Sequence, residues 1–142
     1  MALNPNLAAA LSTSAFINIW DGSTDIALER LHRAVRLSPV DFSMPWMHAS
    51  IAHAHFHAER YEEAVSWAMK SVAARDDIDG MRVLAAALGQ LGRNDQARVA
   101  IEKLQKVDPI LRVSSLERVL GPYRAERLER YRAGLRKAGL PE

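Results

Sequence analysis

The chain has 142 residues, 49% of them apolar and 25% charged, with no cysteine and a formal net charge of +2. That profile fits one compact domain or a short repeat array; the missing thiols exclude disulfides, thiolate metal sites and cysteine nucleophiles. No apolar run reaches the roughly 20 residues of a membrane span, and MALNPNLAAALSTS lacks the basic start of a secretion signal, so a cytoplasmic protein without a membrane partner is expected.

In chain order, apolar spacing predicts helices over 7–20, 24–37, 46–58, 61–74, 78–90 and 94–106. Gly22 in WDGSTD and Gly92 in LGRNDQ mark tight turns between paired helices. Asp25 and Asp95 stand near helix starts, where an acid suits the dipole. Residues 114–120 read as a short helix stopped by Gly121 and Pro122. The last segment, RAERLERYRAGLRKAGLPE, sets Leu128, Tyr131 and Leu135 on one stripe and ends at Gly139 and Pro141. No stretch alternates with period two, so no sheet is expected.

A repeat underlies these helices. Pro5 and Pro39 lie 34 residues apart in the phrases LNPN and LSPVD, and Pro109 follows 70 residues later in VDPIL. The segments STDIALERLHRAV, YEEAVSWAMKSV and NDQARVAIEKL align on Ala27, Ala64 and Ala97, at spacings of 37 and 33. Upstream of each stands another small residue, Ala15, Ala52 and Ala85. Small residues at helix crossings let axes approach to roughly 8–10 Å, and a two-helix unit near 34 residues is the tetratricopeptide (TPR) period.

The expected fold is therefore all-α: a TPR-like array of helical hairpins (a right-handed α-solenoid) with three repeats and C-terminal capping helices. Residues 1–6 would close a truncated preceding repeat, 7–39, 40–77 and 78–110 form the repeats, and 111–142 cap the last exposed face. Departures from the TPR pattern are visible. Asn18, His55 and Leu88 stand where a tyrosine is favoured, and the middle unit has Ala68 where bulk is usual, a gap assigned to Trp67 and Met69. That unit also ends in Asp76-Asp77 without a proline.

The order LNPNLA, AVRLSP, AHFHAERYEEAVSWA, LAAALGQLGRNDQAR, VDP and RLERYRAGLRKAGLPE resembles the C-terminal TPR region of bacterial class III adenylate/guanylate cyclases across essentially the whole chain. The end phrase GLRKAGLPE is its most specific part. The resemblance implies a regulatory or scaffolding tail and transfers no catalytic residue, because the α/β cyclase unit with its paired aspartates is not represented here.

Four of the five histidines, His48, His53, His55 and His57, fall within ten residues. On a helix His53 and His57 share a face and His55 points away; His48 shares His55's direction but lies about 10 Å along the axis. HAHFH has Ala54 where HExxH needs its glutamate, which excludes a metalloprotease. Zinc would need further ligands at about 2.0–2.2 Å, from Asp76, Asp77, Asp79 or a second subunit. No metal site is expected, and His53 and His57 stand as weak candidates. His55 is expected to pack against a neighbouring helix with a hydrogen-bond partner.

In TPR arrays the first helix of each unit lines the concave groove. That places Phe16, Ile19, Trp20, Trp46, His53, Phe56 and His57 on it, an aromatic surface suited to an apolar or amphipathic helix. Its occupant would be a partner protein segment, the chain's own C-terminal helix, or a second copy in a homodimer. From Arg112 to Lys137 eight Lys/Arg face three acids; this reads as a solvated helical face, with no nucleic-acid partner expected. Ser12, Ser14, Ser66 and Ser71 belong to no nucleophile motif and no phosphate-binding glycine loop occurs, so neither enzyme activity nor a cofactor is expected. Other readings are a self-association module, a TPR adaptor of a transcription regulator, and a histidine-based metal-responsive protein.

Overall fold

The structure, a computed structural model, describes residues 5–37, 44–74, 77–120 and 123–142. Among these residues seven α-helices run in order: α1 (Pro5–Asp21), α2 (Thr24–Leu37), α3 (Met44–His57), α4 (Tyr61–Ala74), α5 (Ile78–Gln90), α6 (Asn94–Val107) and α7 (Ala125–Ala138). One 3₁₀ segment, Val113–Arg118, separates α6 from α7. No strand occurs among the described residues. The end of each of the first six helices lies within two residues of the bound expected from apolar spacing. Pro39, Asp76, Gly121 and Pro122 lie outside the described residues. Pro5 opens α1, a first-turn position that needs no amide donor.

Helices pair as α1–α2, α3–α4 and α5–α6, and each hairpin also packs on the next through α2–α3 and α4–α5. The alanine register sits at these crossings: Ala15, Ala27, Ala52, Ala64, Ala85 and Ala97 are all fully buried. Each hairpin turn needs one left-handed residue, supplied at the same register by Gly22 (φ 105°), Glu59 (φ 62°) and Gly92 (φ 72°). Only the middle hairpin uses a residue with a Cβ, where that conformation is strained.

The core is continuous but uneven. Its larger part joins α3, α4, α5 and α6 to Val113, Leu116, Tyr131 and Leu135, and a smaller part collects Ala15, Ile19, Ala27, Leu31, Ile51 and Ala54. Trp67 touches both parts, with the rings of His32 and His48 at 5.4 and 5.5 Å. It therefore supplies the bulk missing at Ala68; Met69, assigned the same role from sequence, is more than half exposed.

The final helix packs chiefly on α5 and only marginally on α6. Two glycines permit it: a Cβ at Gly89 would stand 2.1 Å from the Gly134 carbonyl oxygen, and one at Gly134 would stand 2.5 Å from that of Ala86. Gly139 (φ 107°) ends α7 in the left-handed conformation, its amide reaching back to Leu135 and Arg136. The chain end is then tied down by the Val113 amide, which donates to the Pro141 carbonyl at 2.9 Å.

Candidate binding groove

The face of α3 that carries His53 and His57 is covered by α7. The Tyr131 ring, fully buried, stacks on His53 with centroids 5.5 Å apart and planes 18° from parallel. It also lies 5.2 Å from Phe56 and 6.0 Å from His57. Just before α7, Tyr123 sets its ring 4.8 Å from that of His57. Aromatic groups at these separations attract beyond the area they bury.

Burial holds both histidines neutral. Loss of solvent pushes His53 down to about 3, aided by the Arg82 charge and opposed by Asp77. His57 is likewise held well below the ordinary imidazole range, first by burial and then by His53, Arg127 and Arg130. Burial raises the Tyr131 and Tyr123 phenols above their usual range. The polar atoms His53 Nδ1, His57 Nδ1 and Nε2, Tyr131 Oη and Tyr123 Oη have no hydrogen-bond partner. The cluster is thus made of uncharged polar rings packed as hydrophobes.

Basic side chains of α7 meet the C-terminal ends of the first helices of all three hairpins. Arg127 donates to the Gly22 carbonyl, just past α1, at 3.3 Å. Arg130 donates to the His57 carbonyl, the last residue of α3, at 3.2 Å. Lys137 donates to the Gln90 side chain at the end of α5 at 2.9 Å, while Gln90 donates to the Arg130 carbonyl at 3.0 Å. Helix C-termini present unpaired carbonyls and partial negative charge, so cations stabilise them. Part of the Arg-rich stretch, read from sequence as a solvated face, is therefore a set of contacts across the array.

The seven residues expected on the groove divide three ways. Ile19 and Phe56 are fully buried core residues rather than groove surface. His53 and His57 point into the groove but lie under α7. Phe16, Trp20 and Trp46 remain half-buried at its open end, Phe16 stacked on Trp46 at 5.1 Å and tilted to Trp20 at 5.9 Å. Here a cleft of about 390 Å³ lies between α1, α3, the first turn of α5 and the segment before α7. Sequence reasoning missed Tyr123, Leu120 and Asp79, which complete its wall. It also missed the partners of Tyr131; a glycine inside a helix, Gly134, was the signal of a close crossing.

Other assigned positions have local roles. His55 is half-buried and its Nδ1 accepts from Arg60 Nε at 3.1 Å, matching the packed, hydrogen-bonded role expected for it. Asp77 caps α5, accepting from the Gly80 amide at 3.0 Å and the Ser71 hydroxyl at 2.9 Å. Asp79 pairs with Arg82 at 3.0 Å. Among the described residues, no group of three or more His, Cys, Asp or Glu could hold a metal ion around His53 and His57 or elsewhere. No described helix is long and apolar enough to cross a membrane. On the outer side, Val65, Met69, Leu84, Val99 and Lys103 line a trough of about 520 Å³ between α4, α5 and α6.

Compared with known proteins, the chain matches no family model and no curated sequence.

Proposed function

We propose that this chain is a non-catalytic protein-interaction module of the TPR type, the regulatory or scaffolding part of a larger adenylate/guanylate cyclase-like signalling protein. Its concave face holds the chain's own last helix and accepts a partner helix when that helix yields. The supporting observation is the seating of Tyr131 against His53, Phe56 and His57, an amphipathic helix anchored by an aromatic side chain in a groove. The alanine register, buried at every hairpin, supports the TPR part. The neutral, stacked state of His53 and His57 suits packing rather than proton transfer. The end phrase GLRKAGLPE, which carries the cyclase resemblance, supplies Gly134, Leu135, Gly139 and Leu140, the residues that seat and finish α7.

A labelled peptide spanning residues 123–142 tests the helix-binding reading against full-length protein carrying Gly134→Leu, whose new side chain prises α7 from α5. The peptide is expected to bind this variant and not the wild-type chain, and a Tyr131→Ala peptide should bind neither. Absence of binding by a variant that keeps its helicity would overturn the reading. For the cyclase context, a cyclase unit encoded in frame upstream of Met1 is expected, and a stop codon there argues for a free-standing adaptor.

A second reading, self-association, draws on the exposed apolar side chains Leu7, Ile17 and Ile26 of the first hairpin. Light scattering over a concentration series decides it, a strict monomer counting against.

A further inference from the structure

The cleft that α7 leaves open has walls of unusual chemistry. Phe16, Trp20, Trp46 and Tyr123 supply aromatic surface, Leu120 and Val119 an aliphatic edge, and His53 and Asp79 polar groups. At about 390 Å³ it falls within the range of small-molecule sites, roughly 300–1,000 Å³. Three wall residues carry a buried polar atom without a partner: Trp20 Nε1, His53 Nδ1 and Tyr123 Oη. His53 is only 1% exposed. Buried polar groups in folded proteins are nearly always paired, and an orphan costs free energy. Three such atoms on the residues walling one cleft mark where an occupant's donors and acceptors would be matched.

The walls also choose the occupant's chemistry. No lysine or arginine lines the cleft, and its one charged group is the Asp79 carboxylate, engaged by Arg82 at 3.0 Å. The nearest cation, Arg82, stands behind the wall and is engaged by Asp79, so a phosphate or carboxylate would compete with that carboxylate for it. A quaternary ammonium would suit the aromatic rings, yet it offers no acceptor to the indole N–H, which can only donate. The phenol and the neutral imidazole can each donate or accept. A flat, uncharged heterocycle with ring-nitrogen or carbonyl acceptors and an amino or N–H donor answers every group, and its faces match the aromatic wall.

From the juxtaposition of Phe16, Trp20, Trp46, His53 and Tyr123 we infer that this cleft binds a neutral planar heteroaromatic of nucleobase type, as the base or nucleoside, without a phosphate subsite. The cleft adjoins the seat of Tyr131, sharing His53 with it, and does not depend on a partner helix binding there.

Calorimetric titration of the full-length chain with adenosine, guanosine and cytidine tests this, with choline and the matching nucleoside monophosphates as comparisons. At least one nucleoside is expected to give a saturable heat, its monophosphate to bind more weakly, and choline to give none. Trp20→Phe keeps an aromatic face, though a smaller one, and removes the donor, so it should weaken nucleoside binding about tenfold with helicity unchanged. Tyr123→Phe provides a second conservative variant, expected to weaken it severalfold. Saturation by none of the three nucleosides, tighter binding of a monophosphate, equal saturation by choline, or full affinity in both variants would each overturn the assignment. The peptide experiment above uses a different ligand and a different variant, so the two readings fail separately.

Discussion

At the C-terminal end of the array, α7 presses its backbone onto α5 at Gly89 and Gly134 and carries Tyr131, Leu135 and Ala138 into the larger part of the core. The first hairpin contributes to the smaller part of the core and leaves Leu7, Ile17 and Ile26 partly in solvent. Both ends are built from the same alanine-registered hairpin, so the contrast comes from what covers the hairpin rather than from the hairpin itself. The region with fewer buried apolar contacts is the one expected to open first.

The comparison can be broken most forcefully at the glycine seam. Gly89→Val puts side-chain carbon where the Gly134 carbonyl stands, and a loss of about 3 kcal/mol or more is expected in urea unfolding. Ile17→Ser at the open end should change stability by less than about 0.5 kcal/mol. Equal losses would erase the distinction between the two ends.

Acid supplies the next largest effect. His53 and His57 are held neutral in the folded chain, while in the unfolded chain each protonates near its ordinary value of about 6.5. The unfolded state therefore binds more protons as pH falls, so the stability they contribute is complete above about pH 6.5 and declines below it. For His53 the decline continues to about 3, at about 1.4 kcal/mol per pH unit for each histidine. The groups setting this balance are Arg82 and Asp77 around His53, and Arg127 and Arg130 around His57, with the Tyr131 and Tyr123 rings packed against them. Moving from about pH 6.5 to about pH 5.5 should cost about 1 kcal/mol through His53, with His57 adding in the same direction, measured as a shift in the urea midpoint. His53→Phe should lower the slope, and an unchanged slope would remove His53 from the account.

Smaller effects refine the picture. Arg130→Gln loses the bond to the His57 carbonyl and the ion pair with Glu59 at 3.5 Å, and about 1 kcal/mol of stability with them. Amide exchange in α7 should quicken while that in α2 stays constant. Glu59→Gly relieves the one left-handed residue that bears a Cβ among the described residues and gives up a half-exposed ion pair. A gain of about 0.5 kcal/mol is expected, read as a raised melting temperature.

Much of this fold was legible in the sequence because small residues and turns recur in register, and register survives in one dimension. Ala15 and Ala27 announced their crossing by spacing alone. The faces of α1 and α3 were harder to assign. Both helices are apolar on nearly every side, so periodicity could not separate core Ile19 and Phe56 from groove Trp20 and His53. The last helix was legible as one of three candidate occupants of the groove, but its seat on α5 was not. A stripe of Leu128, Tyr131 and Leu135 fits the outside of α6 as well as the inside of α5, and only the pairing of Gly134 with Gly89, far apart in sequence, selects between them.

The cations of α7 tie three helix ends to one element. A helix of 14 residues is about 21 Å long, and helices packed at roughly 10 Å place three neighbouring ends within that span. Arg127, Arg130 and Lys137 serve the ends of α1, α3 and α5 in that order. The last helix thus works as a shared clasp: one detachment of α7 would release the ends of α1, α3 and α5 together.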